Sequence, residues 1–154
     1  MKPSSLEIER KFLPKELPEE FKRFSPNEIE QGYLAVGRDK SHVRLRRQGR
    51  ACSLTFKRGY APKREEREIQ LNRAQFETLW PATAGRRLTK VRYNLRWRKH
   101  TIEIDVYGGS NDGLIVAEVE FPDAKSCRAF RPPKWLGKEV TGVPRYSNTS
   151  LARD

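Results

Sequence analysis

Polar and apolar residues alternate at every second position along most of this chain, the period that sends successive side chains to opposite faces of a β-strand. In residues 6–12, Glu7, Glu9 and Lys11 share one face, while Leu6, Ile8 and Phe12 share the other with Arg10. The pattern returns over 43–46, 54–57, 66–71, 90–93, 102–106 and 118–121, and residues 27–36, carrying Glu28, Glu30 and Tyr33, complete eight predicted strands. Turn signals at 37–39, 48–49, 59 and 108–113 separate them and predict an antiparallel meander. Helices are the minority. Asn72 is placed to cap one over 72–80, Asp123 one over 122–130, and 14–24 holds a short one. Pro132 and Pro133 make 131–135 a rigid connection. The predicted class is mainly β (α+β): a closed eight-stranded antiparallel β-barrel with a few short helices outside it and at the C-terminus.

Composition changes what such a barrel must do. The 154 residues suit one domain over 1–154, and 32 Lys+Arg against 20 Asp+Glu give a formal charge of +12. Charged residues make up 34% of the chain, above the roughly 25% of ordinary globular proteins. No run approaches the roughly 18 apolar residues of a membrane span, and the N-terminus has no apolar signal core, so a soluble cytoplasmic protein is expected. Cys52 and Cys127 lack CxxC spacing, and with only His42 and His100 besides, zinc chemistry has few ligands. Both histidines flank strands and are expected at the surface. Trp80 and Trp135 are expected to cap the barrel's apolar outside, with Phe76 and Leu79 packing there too.

Polar alternate positions ordinarily mark the wet face of a one-sided sheet. Here, however, the charges come in like-signed pairs strand by strand, where a solvated face usually mixes signs. If that face lined a closed barrel, about fifteen ionisable groups would point inward. At several kcal/mol of desolvation each, a dry interior would cost more than the roughly 5–15 kcal/mol that stabilises a domain. The interior would therefore be a water-filled bore, and eight strands leave room for one slender ligand. Carboxylates without His or Cys offer hard oxygen donors suited to Mg²⁺ or Mn²⁺. Arg and Lys pairs suit phosphoryl oxygens.

The residues that carry this pattern resemble those of the CYTH, or triphosphate tunnel metalloenzyme, superfamily. Glu7-Ile8-Glu9-Arg10-Lys11 is similar to its ExExK signature. Further matches follow in order at 31–34, 43–46, 54–57, 66–69, 90–93, 103–106, 113–114, 117–120, 135–141 and 145–148. The resemblance implies a tunnel that binds a linear triphosphate with Mg²⁺ or Mn²⁺. It implies Glu7, Glu9, Glu103, Asp105, Glu118 and Glu120 as metal ligands, with Glu66 and Glu68 as accessory acids. Lys11, Arg44, Arg46, Lys57, Lys90 and Arg92 would hold the phosphates, joined by Lys138 and Arg145 at the end of the family pattern. Val143 stands where many members carry an acid.

The implied reaction is hydrolysis of a terminal phosphoanhydride, with inorganic tripolyphosphate as the expected substrate because few obvious elements are left to hold a base or thiazolium and nothing reads as an adenine pocket. Nucleoside or thiamine triphosphate hydrolysis and adenylate cyclisation of the class IV type are the alternatives. If Lys11 or Lys90 deprotonates the attacking water, the rate should rise above neutral pH. A rival of another class is a basic nucleic-acid-binding barrel without catalysis, which Tyr93–Arg98 and the +12 charge would suit. No membrane partner is expected, and a homodimer would cover outer apolar surface left by the limited hydrophobic content.

Overall fold

The computed structural model describes residues 5–153. The eight long strands are β1 (Ser5–Leu13), β2 (Asn27–Val36), β3 (His42–Gln48), β4 (Ala51–Tyr60), β5 (Lys63–Leu71), β6 (Arg87–Trp97), β7 (His100–Tyr107) and β8 (Ile115–Phe121). All neighbours pair antiparallel in the order β5-β4-β3-β2-β6-β7-β8-β1, and β1 also pairs with β5, which closes the barrel. A two-residue strand, β9 (Lys138–Glu139), adds to the end of β1.

Closure differs from the simple meander. Hairpins run only through β2–β5 and β6–β8, while β1 inserts between β8 and β5 and β2 pairs with β6. Connection length is the reason. Two-residue turns at 49–50, 61–62 and 98–99 force neighbours to pair. The longer connections 14–26 and 72–86 release their strands to find other partners. The first contains a 3₁₀ segment, Glu19–Arg23, where a short helix was expected. The second contains α1 (Arg73–Leu79), held by the reciprocal Asn72–Gln75 capping box that the sequence invites.

The apolar core lies outside the barrel wall. Ile8, Phe12, Leu95, Ile102, Ile104, Val119 and Phe121 form one cluster beneath α2 (Ala124–Ala129), with Phe130 and Leu136 packed among them. Leu45 and Cys52 pack under Phe76 of α1, with Trp80 stacked on that ring. Trp135 packs against the first cluster. At one end, Tyr33, Leu88, Tyr107 and Val116 meet Leu151 of α3 (Asn148–Leu151) and plug the barrel. Gly137 lets β9 reach β1: its φ is +68°, and a Cβ there would collide with the Leu13 carbonyl oxygen. Among the described residues, no helix is long and apolar enough to cross a membrane.

Candidate active site

Alternation places the polar partners of these core residues inside, and the strand order sorts them by charge. The adjacent strands β7, β8, β1 and β5 carry Glu103, Asp105, Glu118, Glu120, Glu7, Glu9, Glu66 and Glu68. The opposite strands β4, β3 and β6 carry Lys57, Arg44, Arg46, Lys90 and Arg92, with neutral Gln31 and Tyr33 on β2 between β3 and β6. An acidic arc thus faces a basic arc across a cavity of about 400 Å³. Lys11 and Arg64 are the cations set into the acidic arc.

Close pairing stabilises the charges. Lys57 Nζ donates to Glu7 at 2.7 Å and lies 3.5 Å from Glu66. Arg64 Nη2 bridges Glu7 and Glu9 at 2.8 and 3.0 Å. Lys11 Nζ lies 3.6 Å from Glu118 and donates to the Tyr146 carbonyl at 3.0 Å. Arg92 forks onto Asp105 at 2.7 and 2.9 Å and reaches Glu103 at 3.0 Å. On the basic arc, Arg46 donates to Gln31 and Arg44 to Thr55. The buried Nε atoms of Arg44 and Arg64 find no hydrogen-bond partner among the described residues. A buried donor left this way costs about 1–3 kcal/mol, so both nitrogens call for an acceptor.

The carboxyl groups respond unequally. Burial pushes Glu7 up, but Lys57 and Arg64 outweigh it and hold it well below the usual carboxylate range. Glu118 is likewise driven up by burial and brought well down by Lys11, Lys90 and Arg92. Glu9 goes the other way: burial and the neighbouring Glu118 and Glu7 charges push it up to about 8. Three crowded carboxyls, one of them retaining its proton, form a hard-oxygen donor set whose repulsion a divalent cation would relieve. Among the described residues, no three His, Cys, Asp or Glu side chains are already gathered in ligand geometry.

The tunnel brings together Glu7, Glu9, Lys11, Arg44, Arg46, Lys57, Glu66, Glu68, Arg92, Glu103, Glu118 and Glu120. Four other expected residues lie elsewhere. Lys90 and Asp105 point inward but are sealed from the chamber, with neither side chain exposed and the two joined at 2.7 Å. Arg92 and Lys90 already occupy the Asp105 oxygens, so this carboxylate anchors cations instead of facing the cavity. Burial pulls the Lys90 amine down to about 7, with Arg92 and Arg46 adding to the effect and Asp105 opposing it. Lys138 is exposed on β9, and Arg145 is exposed with its guanidinium over the Tyr146 ring. The expectation that His42 sits at the surface is corrected: it is buried in the tunnel wall, edge-on to Tyr33. His100 is half-buried, edge-on to Phe121 and Phe130. Sequence reasoning missed Arg64, although one step back from Glu66 along the alternation reaches it.

The model of the CYTH domain matches residues 5–147. The chain belongs to the CYTH family. It is 43% identical over 147 residues to an inorganic triphosphatase of Nitrosomonas europaea, covering 95% of this chain and 96% of that one. It is 35% identical over 152 residues to an inorganic triphosphatase of Acetivibrio thermocellus, covering 96% and 94%. A crystal structure of an inorganic triphosphatase superposes on this CYTH chain with a TM-score of 0.68 and 41% identity, over 95% of this chain and 93% of that one. The CYTH match spans all eight barrel strands and thus the whole charged interior.

Proposed function

We propose that this CYTH protein is a hydrolase that cleaves a terminal phosphoanhydride of a linear triphosphate, inorganic tripolyphosphate above all, with Mg²⁺ or Mn²⁺. The observation that carries this reading is the pair of opposed arcs around the 400 Å³ chamber. A basic wall alone would suit any polyanion; the facing carboxylates add a place for the cations that hydrolysis would use. The relatives named inorganic triphosphatase at 43% and 35% identity support the same substrate.

Arg44, Arg46, Lys57 and Arg92 would grip the phosphoryl oxygens, and a bound anion would give the Arg44 Nε, unpartnered among the described residues, an acceptor. Glu7, Glu9 and Glu118 would hold the metal, with Glu103 and Glu120 nearer the chamber rim, and the bound cation would neutralise phosphate charge. Glu66 orients Lys57, and Glu68 accepts from Thr55 beside Arg44. Phosphoryl transfer needs mainly alignment and charge stabilisation, which these fixed side chains supply. Of the two amines assigned to proton transfer, Lys11 faces the chamber, whereas Lys90 has the lowered affinity for its proton but is shielded. We assign Lys11 to the reacting phosphoryl group and Lys90 to setting the charge of the basic wall.

A second reading has its own observation. A cavity of about 210 Å³ adjoins the tunnel at Glu9, Lys11, His42 and Arg64, and Tyr60, Val140, Val143 and Pro144 give it a partly apolar wall. It would suit an organic triphosphate, such as a nucleoside or thiamine ester, where few elements were expected to hold such a group. The free Cys52 and Cys127 support a cytoplasmic location. Exposed Leu6 and Ile69 on the barrel's outside support a homodimer.

Orthophosphate release tests the assignment, using tripolyphosphate, pyrophosphate, ATP and thiamine triphosphate, each with Mg²⁺, Mn²⁺ or EDTA, on wild type and Glu9→Ala. Metal-dependent release from tripolyphosphate, lost in the variant, is the expected result. Pyrophosphate from ATP without orthophosphate would instead put the cyclase reading ahead, and nucleic-acid binding indifferent to EDTA would favour the basic-barrel rival.

A further inference from the structure

His42 is the residue of the tunnel wall that the charge pattern does not account for. It lies on β3 one alternation step from Arg44, pairs across with Lys57 of β4, and lines both the tunnel chamber and the adjoining cavity. Its ring is fixed on two sides. Tyr33 of β2 meets it edge to face at 5.2 Å, and Nδ1 lies 3.3 Å from the Lys40 carbonyl oxygen. That contact selects the tautomer with Nδ1–H, because a carbonyl can only accept. Nε2 forms no hydrogen bond to any described residue.

The groups facing the ring are mostly cations. Arg44 stands beside it on β3, Lys57 on β4, Arg64 on β5, and Lys11 lies on β1 in the same cavity wall. Against these stand Glu7 and Glu9 on β1 and Glu66 on β5, with the phenol of Tyr33 edge-on to the ring, while Lys40 adds a further positive charge in the preceding loop. Burial, Lys57, Arg64 and Arg44 together pull the imidazole down to about 4, so in the empty tunnel it is neutral at pH 7. Its free Nε2 is then an acceptor in a chamber built for another acceptor, a phosphoryl oxygen. That mismatch disappears if the anion's own field reverses the local potential and the ring becomes an imidazolium.

We propose that His42 is a polyphosphate-contacting residue that gains a proton from solvent as the anion enters, keeping Nδ1–H on the Lys40 carbonyl and giving Nε2–H to a phosphoryl oxygen. The tunnel therefore reads ligand charge through a group that is silent when empty, and binding is linked to uptake of one proton. The inference rests on the tunnel being the polyphosphate site.

The chain has two histidines, so imidazole nitrogen resonances give a direct readout, with His100→Gln for assignment. Tripolyphosphate is titrated into ¹⁵N-histidine protein at pH 7 with EDTA present, and calorimetry follows saturation. His42 should pass from the Nδ1–H neutral pattern to the imidazolium pattern while His100 stays unchanged. His42→Gln should weaken binding by about tenfold to a hundredfold, the range of one charge-assisted hydrogen bond. It should also remove one proton's worth of pH dependence relative to wild type, a difference in which the ligand's own titration cancels. Saturation with His42 still neutral overturns the inference even if Arg44→Ala abolishes binding. Binding unaffected by Arg44→Ala, or absent from wild type, overturns the tunnel reading together with it. Because the decisive spectrum is taken on wild type, a poorly folded variant does not blunt the test.

Discussion

Lys90 and Asp105 form an ion pair at 2.7 Å in which neither side chain reaches solvent, and Arg92 closes over the same carboxylate with two further contacts. Removing one partner from such a buried cluster leaves charge without compensation and typically costs roughly 3–5 kcal/mol. Asp105→Asn should therefore lower stability on that scale in urea unfolding, while the folded fraction still binds divalent metal. Native stability with weakened metal binding would instead make Asp105 a ligand.

Glu9 sets how metal binding depends on pH. With its carboxyl pushed up to about 8, the empty tunnel holds a proton there at neutral pH, and a divalent cation must displace it. Affinity should rise up to about tenfold per pH unit below that value and flatten above it. Calorimetry in two buffers of different ionisation enthalpy should show proton release for wild type and about one proton less for Glu9→Gln. The catalytic rate should climb through neutrality in the same direction, as Glu9 loses its proton; a maximum at about pH 5–6 would contradict this.

Arg64 holds Glu7 and Glu9 together with one nitrogen. Arg64→Ala should weaken tripolyphosphate binding about tenfold. It should also destabilise the fold, by less than Asp105→Asn because the Arg64 side chain is 21% exposed. Parallel binding and denaturation curves check both.

The exposed positions of Lys138 and Arg145 predict little effect on catalysis. Lys138→Ala and Arg145→Ala should leave kcat/KM for tripolyphosphate within about twofold, since exposed charges act weakly through water. Arg46→Ala should lower it at least about tenfold, because it removes a charged donor from the chamber. Steady-state kinetics on the three variants tests the division.

The strands and the inward direction of their charges were legible because a period of two fixes the face of every residue once one is placed, as Glu7-Ile8-Glu9 shows. Which strands become neighbours was not, because the connections 14–26 and 72–86 are long enough to permit several pairings. The segregation into an acidic and a basic arc depends on that order. Alternation also cannot tell a chamber-facing group from one sealed behind a neighbour: Glu103 and Asp105 share a face, yet only Glu103 meets the cavity. The alternation legible from Glu66 onward leaves out Arg64, whereas β5 begins at Lys63. His42 lies outside the alternation of 43–46 for a related reason, since β3 starts one residue earlier.

Binding of tripolyphosphate measured by calorimetry separates a charged interior that acts from charges that merely surround the barrel. One equivalent should bind wild type, binding should be lost in Arg44→Ala combined with Arg46→Ala, and it should persist in Arg58→Ala combined with Arg67→Ala, whose side chains lie on the outside against Glu65. Loss of binding in the outer-wall variant with retention in the inner-wall one would contradict the account.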